Sequence, residues 1–213
     1  ESLGGDHVGV RLVAAGMLLW GFGYGLHTFL LPVHLRDIGC TPAQVGLVFS
    51  VGMAAMALSA LPGGWLADRY HRRKVVFLSW LAGAPAALLF YFARDYRMAA
   101  LGMALYLGSQ VGYPALNAYL AESAAHGTAG STFGLVNAAF GAGMIVSPML
   151  GGWIAEKWGT GPVFIVSFVL FLAAACVMAL LPPAHRTAGD GDAEVAGAAR
   201  AEGKPAGGAG SGT

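Results

Sequence analysis

The clearest candidate site in the chain is a carboxylate placed at the start of a basic run. Asp68 is followed by Arg69, Arg72, Arg73 and Lys74. A carboxylate at a helix end beside guanidinium groups can accept charge-assisted hydrogen bonds and fix a loop to a neighbouring helix. The alternative is a solvated charged loop whose basic residues only orient the chain in a membrane. The pattern predicts a loop that is locked to a neighbouring helix or one that only anchors the chain, and one loop can serve as both.

His27 is the polar residue that stands out in the first long apolar segment, where Tyr24 precedes it by three residues. A polar side chain at membrane depth has to face a cavity or a partner, so a role in binding a solute or carrying a proton is one expectation. The other is an ordinary packing residue with hydrogen-bonded ring nitrogens. Both interpretations remain open, and we take His27 and Tyr24 as candidate cavity-lining residues.

Three more polar residues, Gln110, Tyr113 and Asn117, follow one another at spacings of three and four and therefore share one face of a helix. This strip could bind a neutral or amphipathic solute, or it could join two helices by hydrogen bonds. Asn137 in the fifth segment has the same two interpretations. Glu122, near the end of the fourth segment, is expected to be either a solvated helix-end acid or an ion-pair partner of the basic loop.

The composition places these residues in a membrane. Hydrophobic residues make up 56% of the 213 residues and charged residues 11%, and the mean hydropathy is +0.63. Soluble domains carry roughly 25% charged residues, so this chain cannot cover a water-facing surface. A formal net charge of +1 excludes strong attraction to nucleic acid. The sequence has no phosphate-binding Gly-x4-Gly-Lys-Ser/Thr loop and no zinc motif, so we expect no enzyme, no cofactor and no metal site.

Six apolar segments are long enough to cross a bilayer, for which about 20 residues are needed. They cover approximately residues 11–33, 43–66, 74–93, 98–121, 131–154 and 161–182. These segments predict an all-α polytopic membrane domain over residues 11–183, preceded by a short N-terminal cytoplasmic segment, residues 1–10. Residues 184–213 are rich in Gly and Ala, which predicts a disordered tail or linker.

An internal repeat divides the six segments into two groups of three. Residues 63–71, Gly-Gly-Trp-Leu-Ala-Asp-Arg-Tyr-His, return 88 positions later as residues 151–159, Gly-Gly-Trp-Ile-Ala-Glu-Lys-Trp-Gly. Three apolar segments fit within this offset, and an odd number of crossings places the two turns on opposite sides of the membrane. We therefore predict two inverted three-helix repeats, over residues 11–93 and 98–182.

The distribution of Lys and Arg predicts the orientation. With both termini in the cytoplasm, eight of these residues lie inside and four lie outside. Residues 69–74 carry most of the local excess, whereas the sister turn carries only Lys157. We expect a multi-pass protein of the cell membrane, plasma or inner, with both termini and the first turn in the cytoplasm.

Residues 64–73, Gly-Trp-Leu-Ala-Asp-Arg-Tyr-His-Arg-Arg, resemble the cytoplasmic signature loop of the major facilitator superfamily, Gly-x-Leu-Ala-Asp-Arg-x-Gly-Arg-Arg. His71 stands where the family has glycine, so a tight left-handed turn would be strained here or shaped differently. The resemblance implies a gating role for the matching residues, Gly64, Asp68, Arg69, Arg72 and Arg73.

The fifth segment is similar to a motif of the family's antiporters, Gly-x8-Gly-x3-Gly-Pro-x2-Gly-Gly. Pro148 is expected to kink the helix, and small residues would let it pack closely along the transport path. Ordinary close helix packing would give the same spacing. The matching residues are Gly134, Gly143, Pro148, Gly151 and Gly152, and Ser147 replaces one glycine.

The family has twelve helices in two halves of six, so the resemblance implies half of a transporter. The chain starts without Met, and we expect it to be part of a longer protein. The signature loop and the fifth-helix motif favour the N-terminal half, whereas the polar tail and the absence of an arginine from the fourth segment favour the C-terminal half. The expected function is transport of a small solute by alternating access, coupled to protons and directed outward.

The alternative is a six-helix binding or sensory module that pairs with another chain and does not transport. The expected partners are the lipid bilayer, a small-molecule solute and, for a transporter, protons. Exposed helix faces would be covered by a complementary six-helix half or by a second copy of the chain, and nucleic acid is not an expected partner.

Overall fold

The computed structural model describes residues 2–124 and 128–182, with side chains from Val8 onward. The predicted tail, residues 184–213, lies outside the described residues. No β-strand occurs in the described ranges. These ranges contain eight α-helices: α1 (Ser2–Asp37), α2 (Pro42–Arg69), α3 (Arg72–Gly83), α4 (Ala86–Phe92), α5 (Tyr96–Gly108), α6 (Tyr113–Ser123), α7 (Ala129–Trp158) and α8 (Gly161–Ala179). A 3₁₀ turn, Ser109–Gly112, joins α5 to α6.

Within the described ranges these helices group into six segments, which correspond to the six predicted membrane crossings. α1, α2, α7 and α8 form one segment each, α3 with α4 forms the third, and α5 with α6 forms the fourth. Five of the six have the length and apolar composition needed to cross a bilayer, with Arg72–Phe92 counted as one. The fourth is divided in its middle by the 3₁₀ turn. The prediction of an all-α polytopic fold is confirmed.

The helix ends follow local capping rules. α1 begins at Ser2, nine positions before the predicted start of the first segment. α2 begins with a capping box, in which the Gln44 amide donates to the Thr41 hydroxyl and the Thr41 amide donates to the Gln44 side chain, at 3.3 and 2.8 Å. α5 begins where the Met98 amide donates to the Asp95 carboxylate at 2.9 Å. Side-chain caps thus fix the starts of α2 and α5.

Prolines stand at both interruptions. Pro85 lies between α3 and α4, and Pro114 lies in the first turn of α6. Proline has no amide hydrogen and its ring collides with the preceding turn, so a helix tends to break before it. Pro148, in contrast, lies within α7, which is helical without interruption from Ala129 to Trp158. The kink expected at Pro148 therefore does not divide the helix.

The two three-helix units are intertwined. The first unit consists of α1, α2 and α3–α4, and the second consists of α5–α6, α7 and α8. α1 packs mainly on α7 and α8 of the second unit, while α5–α6 and their 3₁₀ turn pack mainly on α2 and α3–α4 of the first. Each unit therefore inserts its first segment into the other. Equivalent segments make equivalent contacts, as two inverted repeats require.

Aromatic rings fill the centre of the bundle. The Trp20 ring of α1 lies 4.6 Å from Trp80 of α3 and 4.5 Å from Phe171 of α8, measured between ring centroids. Tyr106 of α5 stacks on Trp20 at 5.8 Å. All four rings are buried. Four of the six segments therefore share one core, in which aromatic pairing adds to the free energy gained from burial.

α2 and α7 lie at the periphery and leave large apolar side chains uncovered. Leu61 of α2 is 85% exposed and Ile145 of α7 is 80% exposed, and Leu58 and Met149 are nearly as open. Side chains of this kind are stable only against lipid or another protein. These two helices therefore present the open faces of the described bundle.

Candidate functional site

The candidate gate is the turn between α2 and α3, which we call the first turn (residues 68–74). α2 ends at Arg69, Tyr70 is its extended C-cap, and α3 begins at Arg72. His71, where the signature has glycine, adopts φ −61° and ψ 117°, an ordinary extended conformation. The turn therefore needs no left-handed residue, and the strain expected at His71 is absent. At the equivalent position of the second repeat, Gly159 does have a positive φ of 82°, so the two turns differ in shape.

Two arginines at the start of α3 tie three helices together. Arg72 forms an ion pair with Glu122 of α6, and its guanidinium also donates to the Ala118 carbonyl at 3.1 Å. Arg73 donates to the Ala179 carbonyl in the last turn of α8. Carbonyls in the last turn of a helix lack intrahelical partners, so basic side chains bind there readily. Glu122 is thus an ion-pair partner of the basic loop, which was one of its two expected roles.

Asp68 lies in the last turn of α2 with its side chain exposed. No hydrogen bond or ion pair joins its carboxylate to another described residue. The bonds expected from the neighbouring arginines do not form, because Arg72 and Arg73 turn toward α6 and α8. Arg69 instead lies over the Trp65 ring, 5.5 Å from its centroid. An acid at a helix C-terminus is electrostatically unfavourable without a cation, so the exposed Asp68 carboxylate remains available to a cationic partner.

The sister turn after α7 repeats the pairing of a cation with aromatic rings but lacks the run of Arg72, Arg73 and Lys74. Lys157 lies over the Trp153 ring at 4.4 Å, and Trp158 meets Trp153 edge-on at 5.4 Å. In the first turn, Trp65 has the same relation to the residues four and five positions after it, at 5.5 and 6.0 Å. The 88-residue repeat contains the signal for this grouping, which was not among the residues predicted from the sequence. Rings and cations so placed are typical of a membrane–water interface.

A cavity of about 870 Å³ opens beside the first turn. Its walls come from the ends of α2, α3, α6 and α8, and three aromatic side chains, Tyr70, Phe77 and Tyr119, form part of the lining. Basic side chains outnumber acidic ones in the lining, which includes Arg69, Arg72, Arg73 and Lys74 together with Asp68 and Glu122. The cavity is therefore positive on balance.

His27 is fully buried in the aromatic core. Its Nδ1–H donates to the Gly23 carbonyl at 3.0 Å, and the Thr28 hydroxyl donates to Nε2 at 3.3 Å. The imidazole lies 4.8 Å from the Tyr106 ring and 5.4 Å from the Phe90 ring. Both nitrogens are satisfied and the ring is enclosed, as expected of a packing residue. A role for His27 in solute or proton movement stays a prediction, and it would require the core to open.

The polar strip on the fourth segment follows the break in that segment. Gln110 lies in the 3₁₀ turn, and Tyr113 and Asn117 lie in α6. All three side chains are at least partly exposed, and none is hydrogen-bonded to another described residue. Residues three apart in a 3₁₀ turn and four apart in an α-helix remain on one face. Their amide and hydroxyl groups are therefore free to meet a solute.

The two other candidate cavity residues are less open to a solute. Tyr24 of α1 is half-buried, and its ring stacks on Tyr106 at 5.9 Å. Asn137 of α7 is exposed, but its amide already donates to the Phe133 carbonyl one turn earlier, at 2.9 Å. The Asn137 carbonyl oxygen can still accept a hydrogen bond.

The glycines of the fifth-helix motif face two ways. Gly143 is buried against α1, where a β-carbon would lie 2.6 Å from the backbone nitrogen of Phe22. Gly151 also packs on α1, against leucine side chains. A β-carbon placed on Gly134 or Gly152 would meet no neighbouring atom within 4 Å. Close helix packing therefore accounts for Gly143 and Gly151. It leaves Gly134 and Gly152 unexplained, and the antiporter interpretation stays a prediction.

Known proteins match most of the chain. The family model for the Major Facilitator Superfamily matches residues 13–206. Multidrug resistance protein MdtG of Salmonella paratyphi A is 31% identical over 164 residues, which cover 74% of this chain and 40% of that protein. MdtG of Proteus mirabilis is 29% identical over 168 residues, which cover 76% of this chain and 42% of that protein. The chain thus spans about two fifths of the length of these relatives.

The crystal structure of the human organic anion transporter MFSD10 (TETRAN) shares the fold. Its TM-score is 0.72, and the match covers 85% of this chain and 49% of that chain. At 18% identity this likeness concerns the fold alone. The match to half of that structure agrees with the six-helix unit described above. With a family model that covers residues 13–206 and a signature loop in its first turn, this chain is a multi-pass membrane protein that belongs to the Major Facilitator Superfamily.

Proposed function

We propose that the chain is one half, the N-terminal one, of a transporter that moves a small solute outward by alternating access, driven by a proton gradient. Relatives named multidrug resistance proteins support outward movement of a solute. The observation that carries the proposal is the first turn, where Arg72 and Arg73 hold three helices and Asp68 remains unpaired among the described residues. Because the family consists of transporters, the expectation that the chain is not an enzyme is confirmed.

In this proposal the first turn acts as a gate. Its arginines bind α6 and α8, so the turn moves with this half as one body. Asp68 then carries a charge that a second half could contact in one conformation and not in the other. A contact made in one state only shifts the equilibrium between the two states by its interaction free energy. A β-carbon placed on Gly64 of the signature would meet no neighbouring atom within 4 Å, so this position leaves room for a close partner helix.

A second proposal concerns the solute. We assign its polar contacts to Gln110, Tyr113 and Asn117, because their polar groups are unused by the described residues and they share one face. Two amides and a phenol offer a few placed hydrogen bonds beside apolar surface, which suits an amphipathic molecule. Tyr24 would add a ring near the same level, and the Asn137 oxygen an acceptor.

The open faces of α2 and α7 are also consistent with the alternative function, that of a binding or sensory module. Leu61 and Ile145 are nearly fully exposed, so these faces need lipid or a partner. In the transporter they are covered by the remainder of a longer protein. A six-helix module that binds a separate chain would use the same faces, and its complex would not move solute.

A transport assay on the complete protein separates these functions. Everted membrane vesicles energised with a proton gradient should accumulate a fluorescent amphipathic cation, and a protonophore should abolish the uptake. Asn117→Leu removes one hydrogen-bonding group and should raise the dye concentration for half-maximal rate roughly tenfold, since such a bond contributes about 1.5 kcal/mol. Uptake at the same rate with and without the proton gradient would refute proton coupling. No uptake of any tested solute by a correctly inserted protein would favour the binding module.

Equivalent positions of the two repeats test the orientation. Tyr70 and Trp158 are 88 positions apart, both are exposed, and each follows an interfacial cation. In a background without Cys40 and Cys176, Tyr70→Cys should react with an impermeant thiol reagent only from the cytoplasmic side. Trp158→Cys should react only from the outside, because three crossings separate the turns. Labelling of both from the same side would contradict the proposed topology.

A further inference from the structure

We propose that the cavity beside the first turn binds the phosphate group of an anionic phospholipid. This inference does not depend on transport. The 870 Å³ cavity is bounded by the ends of α2, α3, α6 and α8, and its basic residues are predicted to lie at the membrane surface. A membrane protein meets lipid head groups at this depth, and basic pockets between helix ends are sites where such head groups bind.

The charge of the cavity is not balanced by the described residues. Arg72 is neutralised by Glu122, but the Arg73 guanidinium has only the Ala179 carbonyl as its partner, and the Lys74 ammonium group has neither a hydrogen bond nor an ion pair among the described residues. Arg69 has a ring as its partner. These three uncompensated cations face one uncompensated acid, Asp68. The remaining excess is enough for a phosphodiester with one negative charge.

Helix α3 adds to this excess. It begins with Arg72, Arg73 and Lys74, has no acid in its first turn and no side-chain cap at His71. The amino end of a helix already carries a partial positive charge of roughly half an elementary charge. Three basic residues placed there repel one another and the helix dipole. An anion in the cavity would relieve both repulsions.

The cavity is lined by α3, α6 and α8, which do not form the open faces of the bundle, as well as by the end of α2. Ala67 lines it and lies on the buried side of α2. Trp65 and Leu61, on the uncovered side of the same helix, do not line it. A partner on the exposed face of α2 could meet Asp68, while Arg73 and Lys74 of α3 would remain available to lipid. Phe77 and Tyr119 provide an apolar wall beside the cations, as the glycerol and upper acyl region of a lipid would require.

Native mass spectrometry of the full chain in detergent tests the proposal. Phosphatidylglycerol should remain bound under conditions that strip phosphatidylcholine. A basic residue near an anionic lipid typically contributes about fivefold to binding, so Arg73→Gln with Lys74→Gln should weaken phosphatidylglycerol binding roughly 30-fold. The matched control, Arg94→Gln with Arg97→Gln, removes two exposed arginines, one between α4 and α5 and one in the first turn of α5, and should leave binding unchanged.

Three further measurements make the outcome decisive. Lys74→Gln alone disturbs no described contact and should weaken binding about fivefold even if the double variant is unstable. Thermal unfolding followed by circular dichroism shows whether each variant is folded. Inorganic phosphate at millimolar concentration should not displace the lipid. Equal binding of the two lipids, an equal loss in the control pair, or displacement by free phosphate would each overturn a lipid site.

Discussion

Replacement of Asp68 by Asn in the complete protein should lower solute flux roughly a hundredfold while insertion and solute binding persist. The substitution keeps the size of the side chain and removes its charge. Breaking a partly buried charge contact typically costs about 3 kcal/mol, which shifts a balanced two-state equilibrium by roughly a hundredfold. Since Asp68 makes no contact among the described residues, this loss cannot come from the stability of this half alone. Flux in everted vesicles, normalised to the amount of inserted protein, measures it.

Glu156→Gln in the sister turn is the matched control. Glu156 is the repeat equivalent of Asp68 and is likewise exposed, but no basic run follows it. Thr160 stands at the equivalent of Arg72, and its hydroxyl is hydrogen-bonded to the His34 ring of α1 at 2.7 Å, so that turn is held by a neutral contact. We therefore expect little change in flux. Thermal unfolding should be the same for both variants, since neither carboxylate is bonded in the described bundle. If both variants transport at nearly the native rate, the first turn is only an anchor and the gate proposal fails.

The sequence predicts the elements of this site better than their contacts. The basic run and the 88-residue repeat can be read directly from the sequence, and they predicted the position of the first turn. The long apolar stretches predicted the six segments. Which group Arg72 meets depends on where α6 ends relative to α3. Both Asp68 and Glu122 were possible acceptors by sequence, and packing decided for Glu122.

His27 illustrates a second limit. Its polarity in an apolar segment indicates that it needs partners, but not which ones. The partners turned out to lie within α1 itself, on Gly23 and Thr28, and the ring is enclosed by aromatic side chains from other segments. His71 illustrates the reverse case. A missing glycine suggested strain, yet the backbone turns through an extended conformation that any residue adopts.

Glycine-to-alanine substitutions in α7 should change the free energy of unfolding in opposite directions, depending on the position. Gly143→Ala should lower the free energy of unfolding by about 1 to 3 kcal/mol, because a β-carbon would meet the backbone of α1, 2.6 Å from the Phe22 nitrogen. Backbone atoms cannot rotate away as a side chain can, so the two helices must separate. Gly134→Ala and Gly152→Ala meet open space and should raise stability by up to about 1 kcal/mol, since alanine favours helix over glycine.

The first repeat provides a second matched pair for the same measurement. A β-carbon on Gly63 would lie 2.6 Å from the Val111 carbonyl oxygen in the 3₁₀ turn, whereas one on the adjacent Gly64 would meet nothing. Gly63→Ala should therefore destabilise and Gly64→Ala should not, as measured by unfolding in mixed micelles followed by circular dichroism. Because the added β-carbon would collide with a main-chain carbonyl, it would push α2 away from the 3₁₀ turn. The packing of the fourth segment would then be loosened where its helix is already interrupted. Equal effects within both pairs would mean that α7 does not pack on α1 through Gly143 and that α2 does not pack on the 3₁₀ turn through Gly63. The intertwined arrangement of the two repeats would then need revision.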